Sequence, residues 1–287
     1  MALKLAVADY SFPLLDWEQS LRLAREIGMG GVDIGLFHAG SHLRPDTILG
    51  DPQASAASVS ASMRAQELQA ADIFGIPGAG FDQQAVNDPD AGSRQKSAEY
   101  FHRILEFTVG CGCSHLTLLP GVHFPQEQRE DSLKRAGAEL EWRAQAAERA
   151  GVRLAVEAHL GSIVPTPQDA LQLLELAPTL TLTLDPSHFM RQGISDDVVL
   201  SLVGRTSHMH ARGARKGRLQ APLRDNAVDF KKYLQALSRH QYPGWIAVEY
   251  TWQEWERCNE VDIVSETILL RNLLRTLQVE VRQESAT

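Results

Sequence analysis

The sequence predicts a closed (β/α)8 barrel. Short runs rich in Val, Ile and Leu recur along the chain, longer segments of helical period separate them, and eight such units can be counted in 287 residues. Alternating units of this kind build a parallel sheet, and α/β barrels of about 250 residues form one core. No linker, internal repeat or shift in composition interrupts the series, which favours closure over an open sheet. A single barrel domain over residues 1–278 is expected.

The first strand is placed at Leu3 to Ala8. Asp16 then stands where an N-cap belongs, ahead of a helix from Trp17 to Ile27 that stops at Gly28. The second strand, Gly31 to Leu36, and the third, Ala70 to Ile76, are followed by long connections, Phe37 to Ala54 and Gly78 to Ala91. These carry Gly, Pro, His and Asp, and in a barrel they overhang the active-site mouth. The fourth strand is His115 to Leu119. The Ala-rich stretch Glu139 to Ala150 reads as a helix closed by Gly151, leading into a fifth strand, Arg153 to Ala158. Thr166-Pro167 forms an N-cap and first helical turn before Leu171, Leu174 and Leu176, and the sixth strand is Leu180 to Leu184. The seventh, Ser207 to Ala211, precedes a segment from Asp229 to Arg239 with Phe230, Tyr233, Leu234 and Leu237 on one face. Tyr242-Pro243-Gly244 turns the chain into the last strand, Trp245 to Tyr250. From Val279 onward a frayed C-terminal tail, residues 279–287, is expected.

Hydrophobic residues at 44% and charged residues at 22% match a soluble globular protein. Met1 to Tyr10 lacks the features of a secretion signal, and no apolar run approaches the roughly 20 residues that cross a bilayer. A cytoplasmic protein with no membrane contact is expected. The three cysteines, Cys111, Cys113 and Cys258, fit a reducing compartment. The one-residue spacing of Cys111 and Cys113 has no matching second pair, so small apolar packing is expected there rather than metal binding. A net charge of -8 opposes nucleic-acid binding. The local cluster Arg212, Arg215, Lys216 and Arg218 reads either as a solvated loop or as a contact for an anionic or hydroxyl-rich ligand.

Four strands share an oddity. LAVE ends at Glu157, LTLTLD at Asp185, SHMH at His210 and WIAVE at Glu249, each closing an apolar run on a residue that is costly to bury unpaired. Parallel barrel strands all point one way, so consecutive C-terminal ends converge on one rim. Three converging carboxylates would repel and take up protons, a conflict that a divalent cation removes. The oxygen-rich set with one imidazole suits Mn2+, Mg2+ or Zn2+, and Mn2+ is the favoured ion.

The ordered set Glu157, Asp185, His210 and Glu249 resembles the xylose isomerase-like barrels of the sugar phosphate isomerase/epimerase family. The likeness spans nearly the whole chain. It is carried by VEAH at Val156 to His159, LDPSH at Leu184 to His188, HMHARG at His208 to Gly213, and the stretch from Val228 to Tyr250. The resemblance implies that the four residues hold one metal, that His188 lies beside the substrate, and that Arg215 lies near its distal oxygens. His159, two residues past Glu157 and on the same face, is a candidate to support the site. Many relatives have a glycine-rich turn where this chain reads Leu223-Arg224-Asp225-Asn226-Ala227.

Such a site implies proton transfer next to a carbonyl, with the ion stabilising an enediolate as Lewis acid. Glu157 and Glu249 are the expected acid and base. Return of the proton on the opposite face gives epimerisation, and return to the neighbouring carbon gives isomerisation. A dehydratase would start from the same carbanion. Further alternatives are an endonuclease acting at abasic DNA and a barrel that only binds a polyol. The expected partner is a small carbohydrate or polyol, not a nucleic acid, with a homodimer by analogy. His38, His123, Tyr10 and Trp252 lie just past strand ends, where a sugar could meet them. Packing under loops is the commoner role for Tyr10 and Trp252.

Overall fold

The computed structural model describes residues 4–284. Its strands are β1 (Lys4–Ala8), β2 (Gly31–Phe37), β3 (Gln69–Ile76), β4 (His115–Leu118), β5 (Arg153–Glu157), β6 (Thr181–Leu184), β7 (Thr206–Ala211) and β8 (Trp245–Val248). Each pairs in parallel with the next, and β8 pairs with β1, so the barrel is closed. All eight expected strands are present. Leu3, the expected start of the first, lies outside the described residues. β8 stops at Val248 rather than Tyr250 because its ladders to Val7 and Ala211 end there.

Among the described residues, ten α-helices connect and flank the strands: α1 (Trp17–Glu26), α2 (Pro45–Ile48), α3 (Pro52–Ala65), α4 (Ala91–Gly110), α5 (Arg129–Arg149), α6 (Pro167–Leu176), α7 (Pro186–Gln192), α8 (Asp196–Val199), α9 (Phe230–Arg239) and α10 (Ile263–Glu284). Local chemistry sets their ends. The Asp16 side chain accepts from Gln19 N at 2.8 Å while the Gln19 side chain accepts from Asp16 N at 3.2 Å, a reciprocal cap. Thr166 Oγ1 accepts from Asp169 N at 3.2 Å at the start of α6. Among the described residues, no helix is long and apolar enough to cross a membrane.

Two helices depart from expectation. α5 begins at Arg129, well before the Ala-rich stretch, because Ser132, Leu133 and Ala136 continue its buried face. Gly137 interrupts the helical signal in the sequence, and packing explains it: a Cβ there would stand 2.5 Å from Leu176 Cβ of α6. Gly137→Ala is therefore expected to destabilise the fold by about 1–3 kcal/mol through overpacking, against a helix-propensity gain of about 1 kcal/mol. Urea denaturation reads the balance; a stabilised variant would show that the two helices separate freely. The expected tail is the other departure. α10 runs through Glu284 and Val281 is buried at 5% exposure, so residues 279–284 of the expected tail are helical, while residues 285–287 of it lie outside the described residues.

Inside the barrel the filling changes along its axis. Ala6, Ala71 and Ala247 cluster with Trp245. A buried polar layer of Asp33, Asp72, His115, Thr117, Thr183 and His208 accompanies them. The C-terminal ends of the strands carry the remaining polar groups, and they form the site.

Candidate active site

The parallel sheet brings the four strand-end residues together as expected. Glu157 is the last residue of β5, His210 lies in β7, and Asp185 and Glu249 directly follow β6 and β8. One donor atom from each lies within 4.8 Å of those of the other three, and all four residues are buried. Asp185 is anchored as the N-cap of α7, where its Oδ1 accepts from Ser187 N at 2.8 Å. His210 Nδ1 lies 2.7 Å from Glu157 Oε1 and 3.5 Å from Glu249 Oε2. Glu249 Oε2 has no hydrogen-bond partner despite its burial. An orphaned carboxylate oxygen among three carboxylates and one imidazole is the donor set that a hard or borderline divalent cation takes. The residues fit such an ion.

The charges in this space are strongly coupled. Burial and the Glu249 charge push the Glu157 carboxyl up to about 7, although His210 pulls it down. Burial also opposes the charge on Asp185, but Arg212, His188 and His210 outweigh it and hold its pKa at about 2. For His210, burial favours the neutral ring, and the surrounding carboxylates of Glu249, Asp33 and Glu157 override it and raise the pKa well above the usual value.

Arg212 is a site residue that the sequence reading placed only in a basic cluster. Its Nε donates to Asp185 Oδ2 at 3.0 Å and to Ser187 Oγ at 2.9 Å, its Nη2 also reaches Asp185 Oδ2, and Nη2 lies 3.0 Å from Glu249 Oε2. The available signal was its spacing: two residues past His210, it points to the same side. Arg215, expected near the substrate's distal oxygens, sits elsewhere. It is exposed in a tight turn, bridged to Arg218 ahead of which Gly217 takes a φ of 77°, and it does not line the cavity. The chain has left β7 by then and turned away from the mouth.

His188, in α7, comes within 3.6 Å of Asp185 Oδ2, 3.9 Å of Glu157 Oε2 and 3.3 Å of Arg212 Nη2. His159 lies just beyond the end of β5 rather than on it. Its Nδ1 is 2.7 Å from Leu160 O, which assigns the proton there, and its Nε2 is buried with no partner. Burial pushes both imidazoles toward the neutral form, His159 to about 4 and His188 well below its usual value. His38 is exposed at the mouth and lines it. His123 does not line the cavity; its Nε2 lies 3.1 Å from Glu127 O.

A cavity of about 440 Å³ opens above Glu157 and Glu249. Tyr10, Phe37 and Phe74 form one wall, with Tyr10 and Phe37 ring centroids 4.6 Å apart. Phe81 and Trp255 form the other, with Phe81 edge-on to His159 at 4.6 Å. Tyr10 packs among aromatic rings as expected, but its hydroxyl also donates to Glu249 Oε1 at 2.8 Å. Trp252 is 47% exposed and lines the mouth, so loop packing is not its role. His38 and Phe81 line the opening without filling it. Arg212 is the one cationic side chain among the described residues that line the cavity.

A family model described as xylose isomerase-like TIM barrel matches residues 21–273. No curated protein sequence matches the chain. Among solved structures, an L-ribulose 3-epimerase superposes with a TM-score of 0.78 at 16% identity, covering 99% of this chain and 97% of that one. D-psicose 3-epimerase from Clostridium cellulolyticum H10, solved with D-tagatose, gives 0.75 at 12% identity, covering 96% and 99%. A 3-DHS dehydratase of petrobactin synthesis from Bacillus anthracis, described as probable, gives 0.70 at 13% identity, covering 94% and 99%.

Proposed function

Because the chain belongs to the xylose isomerase-like TIM barrel family, we propose that it is a divalent-metal-dependent epimerase or isomerase of unphosphorylated keto-sugars or polyol ketones. The observation that carries this reading is the convergence of Glu157, Asp185, His210 and Glu249 on the floor of an aromatic-walled cavity. Two of the compared structures are sugar epimerases, which supports the same class.

Glu157, Asp185, His210 and Glu249 would hold the ion, with Mn2+ favoured over Mg2+ or Zn2+. When bound, it supplies Lewis-acid stabilisation of negative charge developing on the substrate's carbonyl oxygen. Glu157 and Glu249 line the cavity and are the two proton carriers. Glu249 takes the carbon-bound proton as base, because the Tyr10 hydroxyl donates to its Oε1 and the Arg212 guanidinium charge lies 3.0 Å from its Oε2, which together fix its orientation. Glu157 is the second proton carrier and returns a proton to the substrate. His159 offers a buried, unprotonated Nε2 as acceptor for a substrate hydroxyl. The aromatic walls exclude water from the reacting carbon.

The cavity also bears on phosphorylation. Among the described residues that line it, the single cationic side chain, Arg212, is already engaged by Asp185 and Glu249. A phosphate would find no free cationic side chain there, so free ketoses are expected to outperform their phosphates on the order of a hundredfold, about 3 kcal/mol.

The test is loss of substrate α-deuterium across free and phosphorylated ketoses, with bound metal measured by elemental analysis. Metal-dependent exchange on a free ketose supports the proposal. A protein that takes up no divalent metal, or one that takes it up and exchanges no ketose, would overturn it. Exchange followed by loss of water would move the assignment to the dehydratase reading, which needs the same floor.

A further inference from the structure

Below the four rim residues the barrel holds a second group of ionisable side chains. Asp33 of β2, Asp72 of β3, His115 of β4 and His208 of β7 are buried, none more than 6% exposed. Branched apolar residues usually fill a barrel interior, and an unpaired ion there costs several kcal/mol. The group is paired in two halves. In one, His115 Nδ1 lies 2.7 Å from Asp72 Oδ1 and its Nε2 lies 2.8 Å from Ser207 Oγ. In the other, Asp33 Oδ2 lies 2.7 Å from His208 Nε2 and 3.3 Å from His210 Nε2. Only the second half touches a rim residue.

His210 therefore has two different faces. Its Nδ1 looks to the rim, toward Glu157 and Glu249. Its Nε2 looks down, is buried, and makes no hydrogen bond; among the described residues, Asp33 is the acidic group within 4 Å of it. Phe74 lies against the ring at 5.8 Å between centroids, and His208 stands edge-on at 5.3 Å and 87°. These contacts limit the ring's tilt but do not choose between its nitrogens. A carboxylate behind an imidazole does, because it favours the tautomer whose proton points at it.

We propose that Asp33 is the positioning residue of His210, holding the imidazole with Nε2 inward so that Nδ1 faces the rim as a ligand atom. His208 anchors Asp33 in turn, through the same oxygen. The proposal rests on the metal reading above and adds a residue that touches neither metal nor substrate. Loss of such a partner costs about 10–100-fold in metal affinity.

Titration of Mn2+ into the chelator-treated full chain tests this, with thermal melting of each metal-free variant alongside. Asp33→Asn is expected to weaken Mn2+ binding about 10–100-fold at unchanged stoichiometry. Asp72→Asn, equally buried but paired with His115 and farther from His210, with a carboxylate oxygen within 4.8 Å of it but no ion-pair contact, is expected to weaken Mn2+ binding clearly less than Asp33→Asn does. Equal weakening in both variants would reduce Asp33 to a structural role, and an unaltered Asp33→Asn would remove the role altogether. A second readout does not depend on variants that fold. In the Zn2+-loaded wild type, 15N-histidine NMR should show His210 protonated at Nε2 and metal-shifted at Nδ1. The reverse assignment overturns the proposal. A wild type that binds neither Mn2+ nor Zn2+ overturns the metal reading and this inference with it, whereas intact binding with the wrong nitrogen overturns this inference alone.

Discussion

Glu249→Gln is expected to reduce deuterium exchange by at least about a hundredfold and as much as ten-thousandfold, the usual span for a general acid or base. Glutamine keeps the size and can still accept from Tyr10, whose hydroxyl sits 2.8 Å from Oε1. It cannot take the substrate proton, and it removes one of three negative charges from the ligand set. The effect should therefore appear in kcat more than in KM, with a separate loss of metal affinity seen in titration. Glu157→Gln serves as the companion, since Glu157 is the second proposed proton carrier on the same floor. Exchange at the wild-type rate in Glu249→Gln, measured at saturating Mn2+, would exclude Glu249 as the base.

The second large effect is on stability. Arg212 is buried at 4% exposure between Asp185 and Glu249. Arg212→Met keeps much of the side-chain volume and leaves two buried carboxylates short of a cation. Breaking a buried ion pair in this way costs about 3–5 kcal/mol, which in a chain of this size lowers Tm by roughly 5–9 °C. The loss should be largest in chelator and smaller with saturating Mn2+, because a bound cation offsets the same carboxylates and stabilises the folded state by mass action. Equal destabilisation with and without Mn2+ would show that the guanidinium and the ion do not share a site. Asp185 is the more exposed of the two partners to this change in one respect: its carboxyl is held at about 2 chiefly by Arg212, against the opposing pull of burial.

Much of the site was readable because strand direction converts a one-dimensional pattern into a place. Glu157, Asp185, His210 and Glu249 each close an apolar run, and the closed parallel sheet leaves them on one rim. His188 follows from Asp185 by one turn of α7. Arg212 was harder to separate from Arg215, Lys216 and Arg218, since all four look alike as a basic run. What distinguishes it is two-residue spacing from His210, while Arg215 falls past the end of β7 in a turn. The aromatic walls were less legible still. Phe74 reads as an ordinary strand residue, and Phe81 and Trp255 sit on loops whose paths no local pattern specifies.

Gly137 shows the opposite limit, where a local signal of interruption was overruled by contact. Helix propensity disfavours glycine, but the approach of Leu176 requires it, so α5 continues through. Val281 does the same for α10, whose end is held by burial that the polar tail sequence does not announce.

Hydrophobic periodicity, capping residues and strand-ending acids determine by themselves that this chain alternates strand and helix, and which four residues share a rim, because those features act over a few residues or through a common strand direction. Only the closed tertiary structure decides that Arg212 neutralises Asp185 and Glu249, that Tyr10 reaches Glu249 across 239 positions, and that Asp33 stands behind His210 across the barrel. These contacts join residues distant in sequence, and their geometry follows from how the barrel closes rather than from any local preference.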